Sequence, residues 1–325
     1  MSNKALLNQI VGWHIAQEHG KIHKTIISIS EYERGNELMC LLAQAMNNEN
    51  DYKGALKVLD VIHAGYSDDP YYCVRRAIAL YQLHREPEAV DWFKKAQERG
   101  LEEINEMPGT YLPKSVTKWI ERSEIWAPRR IEQNEFEAER RANRKPPNAS
   151  DTDFSDFDFE GFWDDCDYSL EKHVGRVLTD ADVVEAEVLL GYCLPASYKA
   201  LIRRHNGGML AKNCFVNPLQ RDWTPSTFGI ESIYGLDREK PYSLCGERGS
   251  KFWIDEWGYP DIGVAVCDCP SGGHDMIFLD YSDCGPEGEP CVVHIDQESD
   301  YEITYLADNF EDFVRGLIPM SEDDE

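Results

Sequence analysis

The sequence predicts an α+β protein in two parts. The first is an all-α region of helical-hairpin repeats. The second is a mixed, mainly antiparallel sheet flanked by helices. Three observations carry this reading. Residues 34 apart match in type through the first part, short apolar runs separated by glycine-rich turns fill the second, and charge divides the two. Residues 1–150 carry 21 Lys and Arg against 22 Asp and Glu, whereas residues 151–325 carry 12 against 38. Nearly all of the net charge of −27 therefore belongs to the second part. A chain of 325 residues fits two domains better than one, since domains cluster near ~100–150 residues. The expected boundaries are a repeat domain over 1–145, an acidic flexible linker over 146–160 and a second domain over 161–325.

In the first part, Ala43 matches Ala77, Ala55 matches Ala89, Leu59 matches Phe93 and Ile62 matches Ala96. Small alanines stand where two helices must approach closely, and larger groups where one hairpin packs on the next. The units run 36–69 and 70–103, and Asp68-Asp69-Pro70 supplies a cap and a first-turn proline for the second. This period, with its small and large positions in the second helix, resembles the tetratricopeptide repeat, although Cys73 stands near the place of the usual first-helix tryptophan. Such arrays need at least three stacked units. Residues 4–18 and 22–34 form the expected degenerate first hairpin, with Leu6, Leu7, Ile10 and Trp13 facing inward. Residues 113–143 form the expected cap, opening at Pro113 and carrying Val116, Trp119, Ile120, Ile125 and Trp126, with a break or kink at Pro128. Trp92, Trp119 and Trp126 are expected in the core. The resemblance also implies a concave face able to bind peptides.

Between the parts, Arg140, Arg141, Arg144 and Lys145 end a charged helix, and Lys145–Ser150 reads as a linker by its prolines and small polar groups. Residues 151–168 then alternate aspartates with Phe154, Phe157, Phe159, Phe162 and Trp163. The start of this run is expected to be mobile, with docking of aromatics from Phe162 onward; the alternative is a docking peptide for a partner. Helices follow over 180–190 and 195–205. In the second, Leu194-Pro195 opens the helix, Leu194, Tyr198, Leu201 and Ile202 make one apolar stripe, and Asn206-Gly207-Gly208 stops it. Strands are expected at Phe228–Ile233, Lys251–Ile254, Ile262–Cys267, Met276–Asp280, Cys291–Ile295 and Ile303–Tyr305. Asn309–Ile318 closes the chain as a helix with Phe310, Phe313, Val314 and Leu317 on one side.

The stretch Leu189–Leu210, LLGYCLPASYKALIRRHNGGML, is followed in order by Tyr242–Gly246, Trp253–Gly263, Cys267–Asp275, Leu279–Tyr281, Gly288–Pro290, Val292–His294 and Leu306–Phe313. That succession resembles the SMI1/KNR4 family (SUKH superfamily) over residues 160–318. The resemblance implies a sheet flanked by helices, with Leu194, Pro195, Asn206, Gly207, Gly208, Gly258 and Gly272 in structural roles. It also implies a binding module rather than an enzyme. Bacterial members look like immunity proteins that neutralise a toxin domain, often a nuclease, and fungal relatives look like regulatory scaffolds.

The residues themselves offer little for catalysis. Cys267, Cys269, His274 and Asp275 could suggest zinc, but a second thiol or imidazole pair at ligand spacing is missing; no metal and no cofactor is expected. His205, His274 and His294 lack an accompanying Ser or Cys nucleophile motif. Ser271-Gly272-Gly273 lacks the lysine of a phosphate loop. The ten cysteines are scattered without a CxxC pair and read as free thiols of a reducing compartment. No apolar run reaches membrane-spanning length and the start lacks a signal-peptide pattern, so a cytoplasmic protein with no membrane contact is expected. The acidic field repels phosphate backbones, which argues against nucleic acid. It either serves solubility or steers a basic protein. With the resemblance, the expectation is an immunity protein that occupies a basic toxin domain through Asp255, Glu256, Trp257, Tyr259, Asp261, Asp283, Glu287 and Glu289. The rival expectation is a scaffold linking one partner through the repeats and another through the acidic domain.

Overall fold

The computed structural model describes residues 3–62, 64–104, 114–145, 153–299 and 301–320. Its contacts divide the chain into two compact units, Met1–Glu135 and Phe136–Glu325. The division falls earlier than the composition break at 145, because the end of the last helix of the repeat region packs within the second unit.

The first unit is a run of helical hairpins: α1 (Asn3–Ile15), α2 (His19–Ile27), α3 (Asn36–Asn48), α4 (Tyr52–Asp60), α5 (Pro70–Gln82), α6 (Glu86–Glu98) and the start of α7 (Val116–Ala142). The starts of α3 and α5 lie 34 residues apart, as do those of α4 and α6. The matched positions Ala43 and Ala77, Ala55 and Ala89, Leu59 and Phe93 are all fully buried. This is compatible with a tetratricopeptide-like array, and the caps explain its phasing. The Asp69 carboxylate accepts from the backbone N–H groups of Tyr71 and Tyr72 at 2.9 Å ahead of Pro70, and Asp51 caps α4 through Gly54. Ile10 is fully buried, with Leu6, Leu7 and Trp13 packed beside it.

The expected opening of this helix at Pro113 lies outside the described residues, and Pro128 does not break α7. Proline frees the carbonyl four residues back, here that of Glu124; both residues are exposed, so water can take the freed acceptor. Trp119 is buried, stacked on Phe93 at 5.4 Å, but Ile125 is 56% and Trp126 37% exposed. Trp126 is therefore no core residue; the Arg129 guanidinium covers its ring at 4.9 Å.

The second unit runs β1 (Trp163–Asp164), α8 (Asp167–Lys172), α9 (Asp180–Leu190), α10 (Ala196–Arg204), β2 (Gly208–Leu210), β3 (Cys214–Val216), β4 (Thr227–Gly229), β5 (Ser232–Ile233), α11 (Ser250–Asp255), β6 (Gly263–Asp268), β7 (Asp275–Asp280), β8 (Cys291–Asp296), β9 (Glu302–Ala307), α12 (Phe310–Arg315) and β10 (Leu317–Ile318). One seven-stranded sheet has the order β1-β2-β5-β6-β7-β8-β9, and a three-stranded sheet the order β10-β3-β4. All of these strand pairs are antiparallel. The core strands β6, β7 and β8 are buried along nearly their whole length, as the centre of a sheet covered on both faces must be. The fold class is thus α+β, a helical first unit followed by a sheet flanked by helices.

Several local expectations are corrected. Lys251–Ile254 forms α11 rather than a strand, since four residues cannot distinguish the two periods; Trp253 then meets Trp257 at 5.1 Å, four residues on. Phe228–Ile233 splits at Ile230 between β4 and β5 of different sheets. The closing helix ends at Arg315, and Leu317 and Ile318 turn into β10. Within the expected linker, residues 146–152 lie outside the described residues, but docking begins at Phe154 rather than Phe162. Phe154 is fully buried, with Phe157 and Phe159 edge-on to it at 5.9 Å, and Arg315 holds the neighbouring Asp156 at 2.7 Å.

The Asn206-Gly207-Gly208 turn is also more than a helix stop. Helix α10 ends at Arg204 with His205 extended, and Asn206 is a buried clamp. Its Nδ2 donates to the Arg176 carbonyl at 2.7 Å and its Oδ1 accepts from the Leu236 N–H at 2.9 Å. Gly207 takes φ +79°, and a Cβ there would meet the Gly235 nitrogen at 2.4 Å, so only glycine fits. Leu194 is core and Pro195 precedes the first helical residue. Gly258 and Gly272 take φ +78° and +73° in turns.

Candidate partner-binding surface

The eight residues expected to contact a partner fall on two turns with different fates. In the turn from α11 to β6, Asp255, Glu256 and Asp261 are exposed. Their carboxylates make no ion pair or hydrogen bond among the described residues. Tyr259 from the same turn is only 2% exposed, its hydroxyl donating to the Gly273 carbonyl at 2.7 Å, so it is a core residue and leaves the set. Trp257 is half-buried between Trp253 and His274, and its carbonyl accepts from the Tyr301 hydroxyl. These contacts hold the turn in shape, so its acids are presented on a supported loop.

In the turn from β7 to β8, the acids are largely spoken for. The Arg141 guanidinium donates to Asp283 at 2.6 Å and to buried Asp280 at 3.1 Å. Arg144 donates to the Glu289 and Asp308 carbonyls, and Arg140 to Asp308 at 3.2 Å. Burial raises the Glu289 carboxyl above its ordinary range, so it is a weak candidate for surface charge. Glu287 alone remains exposed and unpaired there among the described residues.

The structure adds residues that the charge argument did not find. Helix α9 starts on a capping box of Thr179 and Asp182 and ends on Gly191 at φ +81°. It buries Val183 and Ala186, yet leaves Val184 59%, Val188 78% and Leu189 43% exposed, with Val177 88% exposed just before it. Val184 and Val188 are four apart and share one face. The signal was legible: ADVVEAEVLL is apolar on two sides of a helical wheel. The loop after α9 packs on the β7–β8 turn, where the Cys193 N–H donates to the Pro286 carbonyl at 2.8 Å and Tyr192 meets Tyr281 at 4.5 Å. The helix that carries these exposed apolar residues is thus followed by a loop packed on the turn that carries Glu287.

Metal-type donors also gather, but not the set expected. His274 turns away to Gln297 and Glu298, and Cys267 is buried in β6. Instead Cys269, Asp275 and His294 bring one donor atom each within 4.8 Å of one another. These are zinc-type ligands, here joined as a hydrogen-bonded group, with His294 Nε2 2.8 Å from Asp275 Oδ2. Burial opposes the Asp275 charge, but the hydrogen bonds from His294 and Ser271 prevail and lower its pKa. Burial, with the Asp275 and Asp268 charges, drives the Cys269 thiol well above its ordinary range. A nucleophile must be a thiolate, the form that these surroundings disfavour at Cys269. His205, the third imidazole considered, hydrogen-bonds Asp165 at 3.1 Å and stacks on Trp163.

No helix among the described residues is long and apolar enough to cross a membrane. Comparison with known proteins found no match among curated proteins and none among solved structures. A family model described as SMI1 / KNR4 family (SUKH-1) matches residues 177–316, from just before α9 to the end of α12. The residues expected in structural roles occupy the α9–α10 and α10–β2 junctions and the turns on either side of β6. Residues 177–316 of this chain are therefore a domain of the SMI1/KNR4 family (SUKH-1).

Proposed function

We propose that the protein is a non-enzymatic binding module whose SUKH-1 domain neutralises a basic toxin domain, most naturally a nuclease, by occupying its surface. The observation that carries this reading is the unbalanced charge of the second part, 12 cationic against 38 anionic residues, with Asp255, Glu256, Asp261 and Glu287 exposed and without partners among the described residues. A nuclease surface is basic because its substrate is anionic, and an acidic domain competes for it with long-range attraction. The apolar face of α9 supplies the dehydrated contact that charge alone does not.

The test is capture with the full chain as bait from its native cells, at low and high salt, with identification of what is retained. A basic nuclease-like domain, released by salt, is the expected result. Loss of capture on replacing Asp255, Glu256 and Asp261 by lysine would assign the contact to the α11–β6 turn. Recovery of signalling or envelope proteins through residues 1–135 instead would favour a scaffold, a reading to which the 34-residue spacing of α3–α6 lends support.

A further inference from the structure

Besides the exposed acids, the second unit holds a carboxylate that is buried without a counter-cation. Asp268 ends β6, is 7% exposed, and accepts a hydrogen bond from Ser232, its cross-strand partner on β5. Among the described residues no Lys or Arg pairs with it or with Glu231 beside it. An isolated buried charge is costly, and burial accordingly pushes the Asp268 carboxyl up to about 7 and also raises Glu231.

These two acids line a cleft of about 80 Å³, with Tyr168, Tyr242, Trp253 and His173 among its other walls. The volume admits several waters, each of which needs roughly 10–15 Å³, or one small head group, and is far below the ~300 Å³ at which ligand pockets begin. Several of its walls are aromatic, and the Tyr242 ring already carries one guanidinium, that of Arg248. His173 is the independent sign of an occupant. It is 2% exposed, stacks on Tyr242 at 4.6 Å, and its Nδ1 has no hydrogen-bond partner among the described residues. Burial, with the charge of Lys240, lowers its pKa to about 4, so at neutral pH it is uncharged and sets no positive charge against an incoming cation. Arg248 at the rim is engaged with Tyr242, lying over its ring at 5.5 Å and donating to its hydroxyl at 3.0 Å.

We propose that this cleft receives one guanidinium or ammonium head group, inserted as an Arg or Lys side chain of the basic protein partner, with Asp268 and Glu231 as its anionic acceptors and Tyr242 and Trp253 as its walls. The source of the cation rests on the functional reading above; the cleft's affinity for the group does not.

The experiment therefore begins without the partner. The full chain, labelled with ¹⁵N, is titrated with ethylguanidinium chloride and, separately, with sodium chloride at equal ionic strength. The indole N–H resonance of Trp253 is assigned by its loss in Trp253→Phe. A saturable shift with ethylguanidinium and none with sodium is expected. Asp268→Asn should weaken the binding about tenfold, as expected for loss of a charge-assisted hydrogen bond. Arg248→Gln should strengthen it by removing a like charge, an opposite sign that general destabilisation cannot mimic. No saturable shift, or equal affinity in wild type and Asp268→Asn, overturns the proposal. Capture of a basic partner equally well by wild type and by the Asp268→Asn, Glu231→Gln variant would leave the functional reading standing and remove the cleft from it. Ethylguanidinium binding with no basic protein captured would do the reverse: the cleft would stand as a cation site and the protein source of its cation would be overturned.

Discussion

Asp268 and Asp280 are the same residue type, both buried, at opposite ends of one hairpin. Asp268 pairs with Met276 across the ladder, and Met276, Phe278 and Asp280 alternate onto one face of β7, so both carboxylates lie on the same side of the sheet. They differ in what meets them. Asp280 receives the Arg141 guanidinium at 3.1 Å, whereas Asp268 receives the Ser232 hydroxyl and backbone N–H groups but, among the described residues, no cation. A buried acid with its own cation is a structural joint, whereas one without has its charged form disfavoured by burial. The same contrast separates Asp283, paired with Arg141 at 2.6 Å, from Asp255, Glu256 and Asp261. Net charge does not reveal which acids are available; pairing does.

The sharpest test of that contrast is the pH dependence of stability. Burial raises the Asp268 carboxyl from its ordinary value of 3.8 to about 7 when folded. Between those values folding takes up a proton, so the contribution of this group falls as pH rises through the window and the penalty is complete above it. Asp268→Asn removes the penalty. Relative to wild type it should be more stable by on the order of 4 kcal/mol near pH 8, and the difference should vanish near pH 4. Denaturant unfolding at a series of pH values measures it; a variant less stable than wild type at pH 8 breaks the comparison. Arg141→Ala should do the opposite, stranding Asp280 and destabilising the second unit by about 3 kcal/mol. Arg140→Ala, at a half-exposed pair with Asp308, should lose under ~1 kcal/mol, and equal losses for the two would show that burial is not what matters. Glu289→Gln should give a small gain above neutral pH, since burial raises that carboxyl. Its Oε1 is buried with no hydrogen-bond partner among the described residues. The smallest change in stability, within ~0.5 kcal/mol, is expected for lysine at Asp255, Glu256 and Asp261. There the effect should appear in the association rate with a captured basic partner, lowered about tenfold at low salt with a flatter salt dependence.

Much of the frame was legible because it rests on local or periodic signals. The 34-residue spacing foretold α3 through α6 from alanines that must sit at close approaches, and Asp69-Pro70 marked a helix start that the structure keeps. The apolar runs of β6 to β9 were placed within a residue or two. Short runs were not: Lys251–Ile254 became a helix and Phe228–Ile233 two strands, because a few residues do not fix a period. The candidate surface was legible only as composition. Tyr259 had to leave it and Val184 and Val188 to join it, since exposure is decided by which neighbours cover a side chain.

The helical first part, the acidic second part and the SUKH-1 domain were settled by the sequence alone, since caps, periods and ordered motifs act through neighbours in the chain. Tertiary structure decided the chemistry of the acids. His173, Glu231 and Asp268 are far apart in sequence and share a cleft only because β5 pairs with β6 and α8 packs on β2. Arg141 reaches Asp280 only because the end of α7 meets the hairpin within the second unit. A carboxylate's charge and availability depend on the field and solvent around it, and that surrounding is assembled by residues that the chain brings in from elsewhere.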